Sequence, residues 1–174
     1  MIEGRKVGAA PTENSIRLSA QQIDDAVGSC ARMFDSGIFA DAGVRSKFFQ
    51  PSLVFVLINL NSLLQVAESL GHRISFADHI EPGPQIEDVT ALVQVCRDAA
   101  CHVGDLSGSS TPSGFVVVSG YVQSQLSHDG CAHHCEFPDD IAVYIGRHRL
   151  YLLRHLKRAF DEVSEVLAGH AVGA

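Results

Sequence analysis

DVTALVQVCRDAACHVGD, residues 88–105, is the stretch around which the chain is organised. With Ile86 just ahead of it, apolar side chains recur at Val89, Val93, Cys96 and Ala100, the three- and four-residue steps of one buried helix face. Gly104 is a natural stop. The helix ends in an arginine, an acid and a histidine: Arg97, Asp98 and His102. Asp98 and His102 are four apart and lie one above the other, so the carboxylate can accept a hydrogen bond from one imidazole nitrogen and orient the other. Arg97 beside them is a fixed cation for a phosphate or carboxylate.

Outward from this helix the period stays helical on the N-terminal side. Ser19 followed three residues later by Gln22 has the form of a capping box, and Ile23, Val27, Cys30 and Phe34 mark the inner face of a first helix ending near Ser36 and Gly37. Pro51 suits the first turn of a second helix that runs to about Leu70, with Gly71 as its stop. Residues 53–58 are apolar nearly all round, which requires cover on most sides, part of it from another subunit. The apolar run 53–67 is interrupted by Asn59, Asn61, Ser62 and Gln65 and falls short of the roughly 20 residues of a membrane span, so it reads as a core helix. Pro82 and Pro84 forbid helix until about Gln85.

Beyond residue 105 the composition turns to Ser, Gly, Thr and Pro, and then the period changes. Residues 115–118 with 121–122, and residues 141–145, are β-branched or aromatic and form the best strand candidates, separated by a polar loop over 123–140. From about Arg147 a helical face returns at Leu150, Leu153, Leu156, Phe160, Val163 and Leu167, ending at Gly169. The expected fold is mainly α: a four-helix bundle with a β-hairpin, about residues 114–146, inserted before the last helix. It occupies a single domain over residues 19–172. Residues 1–18 read as a flexible tail, with a protease-site scar at 1–5.

A formal net charge of −7 in 174 residues argues against a sequence-blind nucleic-acid binder, so contact with RNA requires a local basic patch. The five cysteines are an odd number and come without a secretory leader, which points to free thiols and a cytoplasmic location. No Gly-rich phosphate loop and no Gly-x-Ser-x-Gly elbow is present, which gives the dinucleotide-binding, Walker-type and α/β-hydrolase classes little weight.

The string Arg97-Asp98-Ala-Ala-Cys-His102 resembles the signature of the HEPN superfamily, arginine, a polar residue and a histidine at the end of a bundle helix. The resemblance implies a metal-independent endoribonuclease of a toxin–antitoxin or phage-defence system. It also implies an RNA substrate, a homodimer whose two motif helices meet, a cognate antitoxin protein, and neither cofactor nor membrane. The chemistry fits independently. Metal-free RNA cleavage needs a base for the ribose 2′-hydroxyl, an acid for the leaving oxygen and a cation for the phosphorane. His102 is the acid/base candidate, Arg97 the phosphate clamp and Asp98 the orienter. Positions five apart diverge by about 140° on an ideal helix, so Arg97 and His102 converge on one phosphate only through a two-fold pairing of motif helices or a frayed last turn, and a homodimer with a composite site is expected. The added hairpin leaves an alternative: a non-catalytic regulatory module that binds a nucleotide, RNA or a protein.

Two further clusters carry chemistry. Arg147, Arg149, Arg154, Lys157 and Arg158 place five positive charges within residues 147–158, either an RNA-backbone patch or a solvated face whose stems cover apolar surface. Arg149 and His155 also meet the loose family spacing, but Leu150 follows the arginine where a polar residue belongs. Cys131, His133, His134 and Cys135 are zinc-ligand types. Their spacing lacks two separated ligand pairs, so the other reading is a polar hairpin tip.

Overall fold

The computed structural model describes residues 18–101, 115–126 and 132–171. Four α-helices are present: α1 (Ala20–Asp35), α2 (Phe49–Ser69), α3 (Val89–Cys101) and α4 (Arg158–Ala171). Between α3 and α4 lie five strands, β1 (Phe115–Ser119), β2 (Val122–Leu126), β3 (Ala132–Cys135), β4 (Ile141–Ile145) and β5 (His148–Tyr151), followed by a π-helical segment, Leu152–Lys157.

Helix ends follow the local chemistry. Ser19 and Gln22 form the reciprocal capping box, with Gln22 Oε1 accepting from the Ser19 N–H at 2.9 Å and Ser19 Oγ from the Gln22 N–H at 3.3 Å. At the end of α2 the His72 N–H donates to the Ala67 carbonyl and the Gly71 N–H to that of Glu68, both at 2.9 Å. This is a Schellman closure, and it requires the positive φ of 85° that Gly71 adopts without penalty.

α2 is the centre of the molecule. By length and composition it is the one helix among the described residues apolar enough to cross a membrane, yet Leu53, Val56, Leu57, Leu60, Leu63 and Leu64 are fully buried against the elements around it. α1, α3 and α4 pack around it, and the sheet closes the core.

The sheet overturns the expectation of a four-helix bundle with one inserted hairpin. β1 and β4 do pair, antiparallel with Phe115 opposite Ile145, but β5 extends the sheet to three strands in the order β1-β4-β5. The span 123–140, expected as a polar loop, holds most of a second ribbon, β2 paired with β3. The fold is mixed α and β, with its C-terminal half rich in strands. The physical reason is visible in β4, whose five residues are all buried. Ile141, Val143 and Ile145 turn to the helical core, as do Leu150 and Leu152, while Ala142, Tyr144 and Tyr151 join Val118 and Cys135 in a second cluster on the other face. A strand covered on both faces needs a layer on each, and a lone hairpin cannot supply them.

The last helix also begins later than expected. Ile145 pairs with His148 around a two-residue turn, Gly146-Arg147, whose Gly146 has φ 61°, the first-position glycine of a type II′ hairpin. The helical face read from Arg147 is therefore strand up to Tyr151. Past it, the wider π turns leave Leu153 48 % exposed, although the sequence spacing puts it inside.

Candidate functional site

α3 is fixed firmly at its N-terminus. Asp88 caps it, accepting from the Ala91 N–H at 2.9 Å, and the Arg73 guanidinium grips the same carboxylate with Nε at 2.7 Å and Nη2 at 3.0 Å. Thr90 Oγ1 donates to the Ile74 carbonyl at 2.6 Å, and the Val89 N–H to that of Phe76 at 2.9 Å. Cys96, buried in the same helix, has its thiol pushed up to about 12 by desolvation and is no nucleophile.

At the other end of α3, Arg97 and Asp98 stand side by side, Nη1 to Oδ1 at 2.9 Å, with about a third and a half of their side chains exposed. Arg97 Nε is buried without a hydrogen-bond partner among the described residues. His102, the third expected member, lies outside the described residues, one position past the end of α3.

The five basic residues of the expected RNA patch divide. Arg154 donates to Asp139 and Asp140 and lies 3.7 Å over the Phe137 ring. Lys157 pairs with Asp161 at 2.7 Å; Arg158 pairs with Asp78 and Glu162, each at 2.8 Å, and covers Phe76. Arg149 is buried, with Glu81 at 3.0 Å from Nη2 and Glu136 at 3.4 Å from Nη1. Arg147 alone of the five has no ion pair among the described residues. Four of the five charges are thus matched by acids, which removes most of the field a phosphate backbone would meet.

The zinc-type residues are not gathered. Alternation along β3 buries His133 and Cys135 on one side and sends His134 to the other. His133 stacks on Tyr144 with ring centres 4.3 Å apart, and the His134 ring meets Tyr144 Oη and Arg149 Nη1. The Cys135 thiol donates to the carbonyls of Phe137 and Asp140. Cys131 lies outside the described residues, and among these no group of three His, Cys, Asp or Glu stands close enough to hold a metal ion.

Two features escaped the sequence. The buried Asp140 carboxylate accepts from the N–H groups of Ile141, Leu153 and Arg154 and from Arg154 Nη1, at 2.8–3.1 Å, and so caps the π-helical segment from a distance in sequence. Beside β5, an edge strand, a cavity of about 540 Å3 opens between the connection 81–86, α3 and the β4–β5 turn. Pro82 and Pro84 signalled a stiff connection but nothing announced the cavity.

The chain matches no family model, no curated protein and no solved structure. The resemblance at Arg97–His102 therefore stands on those residues alone.

Proposed function

We propose that the chain is a metal-independent endoribonuclease acting through Arg97, Asp98 and His102 in a site shared by two copies. The observation that carries the reading is the state of Arg97. Arg73, Arg149, Arg154 and Arg158 are each held by at least two acids, whereas Arg97 has one, its own neighbour Asp98, and remains a third exposed. A guanidinium so lightly held on a firmly anchored helix has capacity for a phosphate. In the proposed reaction neutral His102 of one copy takes the 2′-hydroxyl proton as that oxygen attacks phosphorus. The imidazolium so formed gives that proton to the leaving 5′-oxygen, and Arg97 of the other copy offsets the charge of the phosphorane. The products are a 2′,3′-cyclic phosphate and a 5′-hydroxyl. Free thiols at Cys30, Cys96, Cys101 and Cys135 support a cytoplasmic setting, where a partner antitoxin would restrain the activity.

The test is cleavage of a labelled RNA in excess chelator by wild type, Arg97→Ala and His102→Ala. Wild type should cut, and each variant should lose about 10²–10⁴-fold. A wild type that leaves the RNA intact, or variants that cut as fast as it does, end the proposal. Relief of growth toxicity by the same substitutions is the matching result in cells.

A second reading, a binding module without catalysis, is favoured by one observation: the acids that neutralise Arg149, Arg154, Lys157 and Arg158 leave little basic surface for a long RNA. Under it, chelator-resistant cleavage is absent at every protein concentration.

A further inference from the structure

The cavity beside β5 plays no part in the proposed cleavage, and its volume of about 540 Å3 is that of a small-molecule site. Two of its walls are apolar: Pro82, Pro84 and Ile86 from the connection ahead of α3, and Leu92 and Val95 from α3 itself. The third is cationic, with Arg147 and Arg149 flanking His148, and Glu81 is the one acid on the lining. Burial and the charge of Arg147 lower the pKa of His148, so at neutral pH the two arginines set the charge of that wall.

Arg149 is the one buried arginine among the described residues. Its side chain is 6 % exposed. Arg73 shows what a filled guanidinium looks like here, because Asp88 occupies its Nε–Nη2 edge with two oxygens at 2.7 and 3.0 Å. The same edge of Arg149 holds one oxygen, Glu81 Oε1, 3.0 Å from Nη2. Its Nε is buried with no hydrogen-bond partner among the described residues. A planar fork with one tine used is costly to bury and is completed by a two-oxygen acceptor. Glu81 is poorly placed to be that acceptor for good, since its side chain is 56 % exposed and water competes for it.

We propose that this cavity binds a small organic carboxylate with an apolar body, whose two oxygens displace Glu81 from the Nε–Nη2 edge of Arg149, and that Glu81 is the built-in competitor for that position. Charge selects the monoanion. With Glu81 withdrawn, Arg147 and Arg149 face only Glu136, which leaves one net positive charge for one carboxylate. Among the described residues the lining has no Phe, Tyr or Trp and one aromatic ring, the His148 imidazole between two arginines, while the proline and aliphatic walls suit an aryl or branched alkyl body. Arg149 is then a ligand anchor rather than a contact for an RNA backbone.

The test is calorimetric titration of the full chain with 1-naphthoate, with the neutral 1-naphthamide and the body-less acetate as comparisons. Wild type should bind naphthoate saturably at one site, with both comparisons about tenfold weaker or more. Glu81→Gln should tighten naphthoate about tenfold, the gain expected when the internal carboxylate covers the guanidinium roughly nine-tenths of the time. Arg149→Gln should abolish binding. Because Arg149 is buried and its loss could disturb folding, Val95→Phe provides a second block: it fills the cavity from a half-buried position and should abolish binding with the helical signal unchanged. Equal affinity in wild type and Glu81→Gln, no binding by either, or undiminished binding by Val95→Phe overturns the proposal. None of these results depends on whether the chain cleaves RNA.

Discussion

His155 shows what a single residue contributes here. The sequence places it in a run of basic side chains, yet it is fully buried, with Nδ1 accepting from the Tyr151 N–H at 3.1 Å and Nε2 donating to the Asp78 carbonyl at 3.0 Å. Both bonds need the neutral ring with its proton on Nε2. Burial, the largest cause, brings its pKa down to about 4 from 6.5. The unfolded chain therefore takes up a proton first as the pH falls. Stability from this group is complete above about pH 6.5 and declines toward pH 4, by up to roughly 3 kcal/mol. Urea unfolding at intervals across that window should show the decline in wild type. His155→Gln should be less stable at neutral pH but flatter across the window; parallel slopes for the two would remove His155 as the cause. Asp78, whose carboxylate is lowered chiefly by its bond from Arg158, titrates in both proteins and cancels in the comparison. No spacing in the sequence distinguishes this histidine from a solvated one, because burial of a side chain is decided by strands that pair far away in sequence.

Among the elements, the first three helices were legible, the start of the last was not, and the sheet was only half so. Ser19 with Gln22, Pro51 and Gly71 act within a turn of their own positions, and the faces Ile23–Val27–Cys30 and Val89–Val93–Cys96 turn inward as their spacing demands. The pair β1 and β4 was visible in its β-branched runs. β5 was not, since His148-Arg-Leu-Tyr151 is four residues long and its Leu150 falls in step with Leu153 and Leu156. What commits this segment is Asp140, which has no helical pattern to announce it. Its carboxylate holds the N–H groups of Leu153 and Arg154 at the point where the strand gives way to π turns. Asp140→Ala strands these two backbone donors, while the Arg154 guanidinium keeps Asp139, a loss of about 3 kcal/mol. Asp140→Asn keeps one acceptor and should fall between. The midpoint of urea unfolding measures this, and a shift for Asp140→Ala no larger than that of an exposed substitution such as Asp139→Ala would show that the segment is held elsewhere. The candidate site was legible in proportion to how local it is: Arg97 and Asp98 lie together on α3, while the cavity at Arg149 joins residues 81–86, 92–95 and 147–149, which no single stretch reveals.

For the whole molecule, the proposed cleavage calls for a second copy. On an unbroken helix two residues five positions apart diverge by about 140°, so the proposed site joins Arg97 of one chain to His102 of another. A chain of 18.7 kDa should therefore sediment at twice that mass at micromolar concentration. Mass alone does not show that the site is shared, but mixing inactive variants does. In a dimer of one Arg97→Ala chain and one His102→Ala chain, one of the two composite sites joins an intact Arg97 to an intact His102, and the other has neither. Random pairing of equal amounts makes half of the dimers mixed, so activity should return to roughly one quarter of the wild-type value by symmetry. If Arg97 and His102 of the same chain worked together instead, each chain would lack one partner and the mixture would stay as inactive as its components. Unfolding and refolding the two variants together, and assaying RNA cleavage against each refolded alone, separates the cases. An inactive mixture from a chain whose wild type is both dimeric and active would place the whole reaction within one copy.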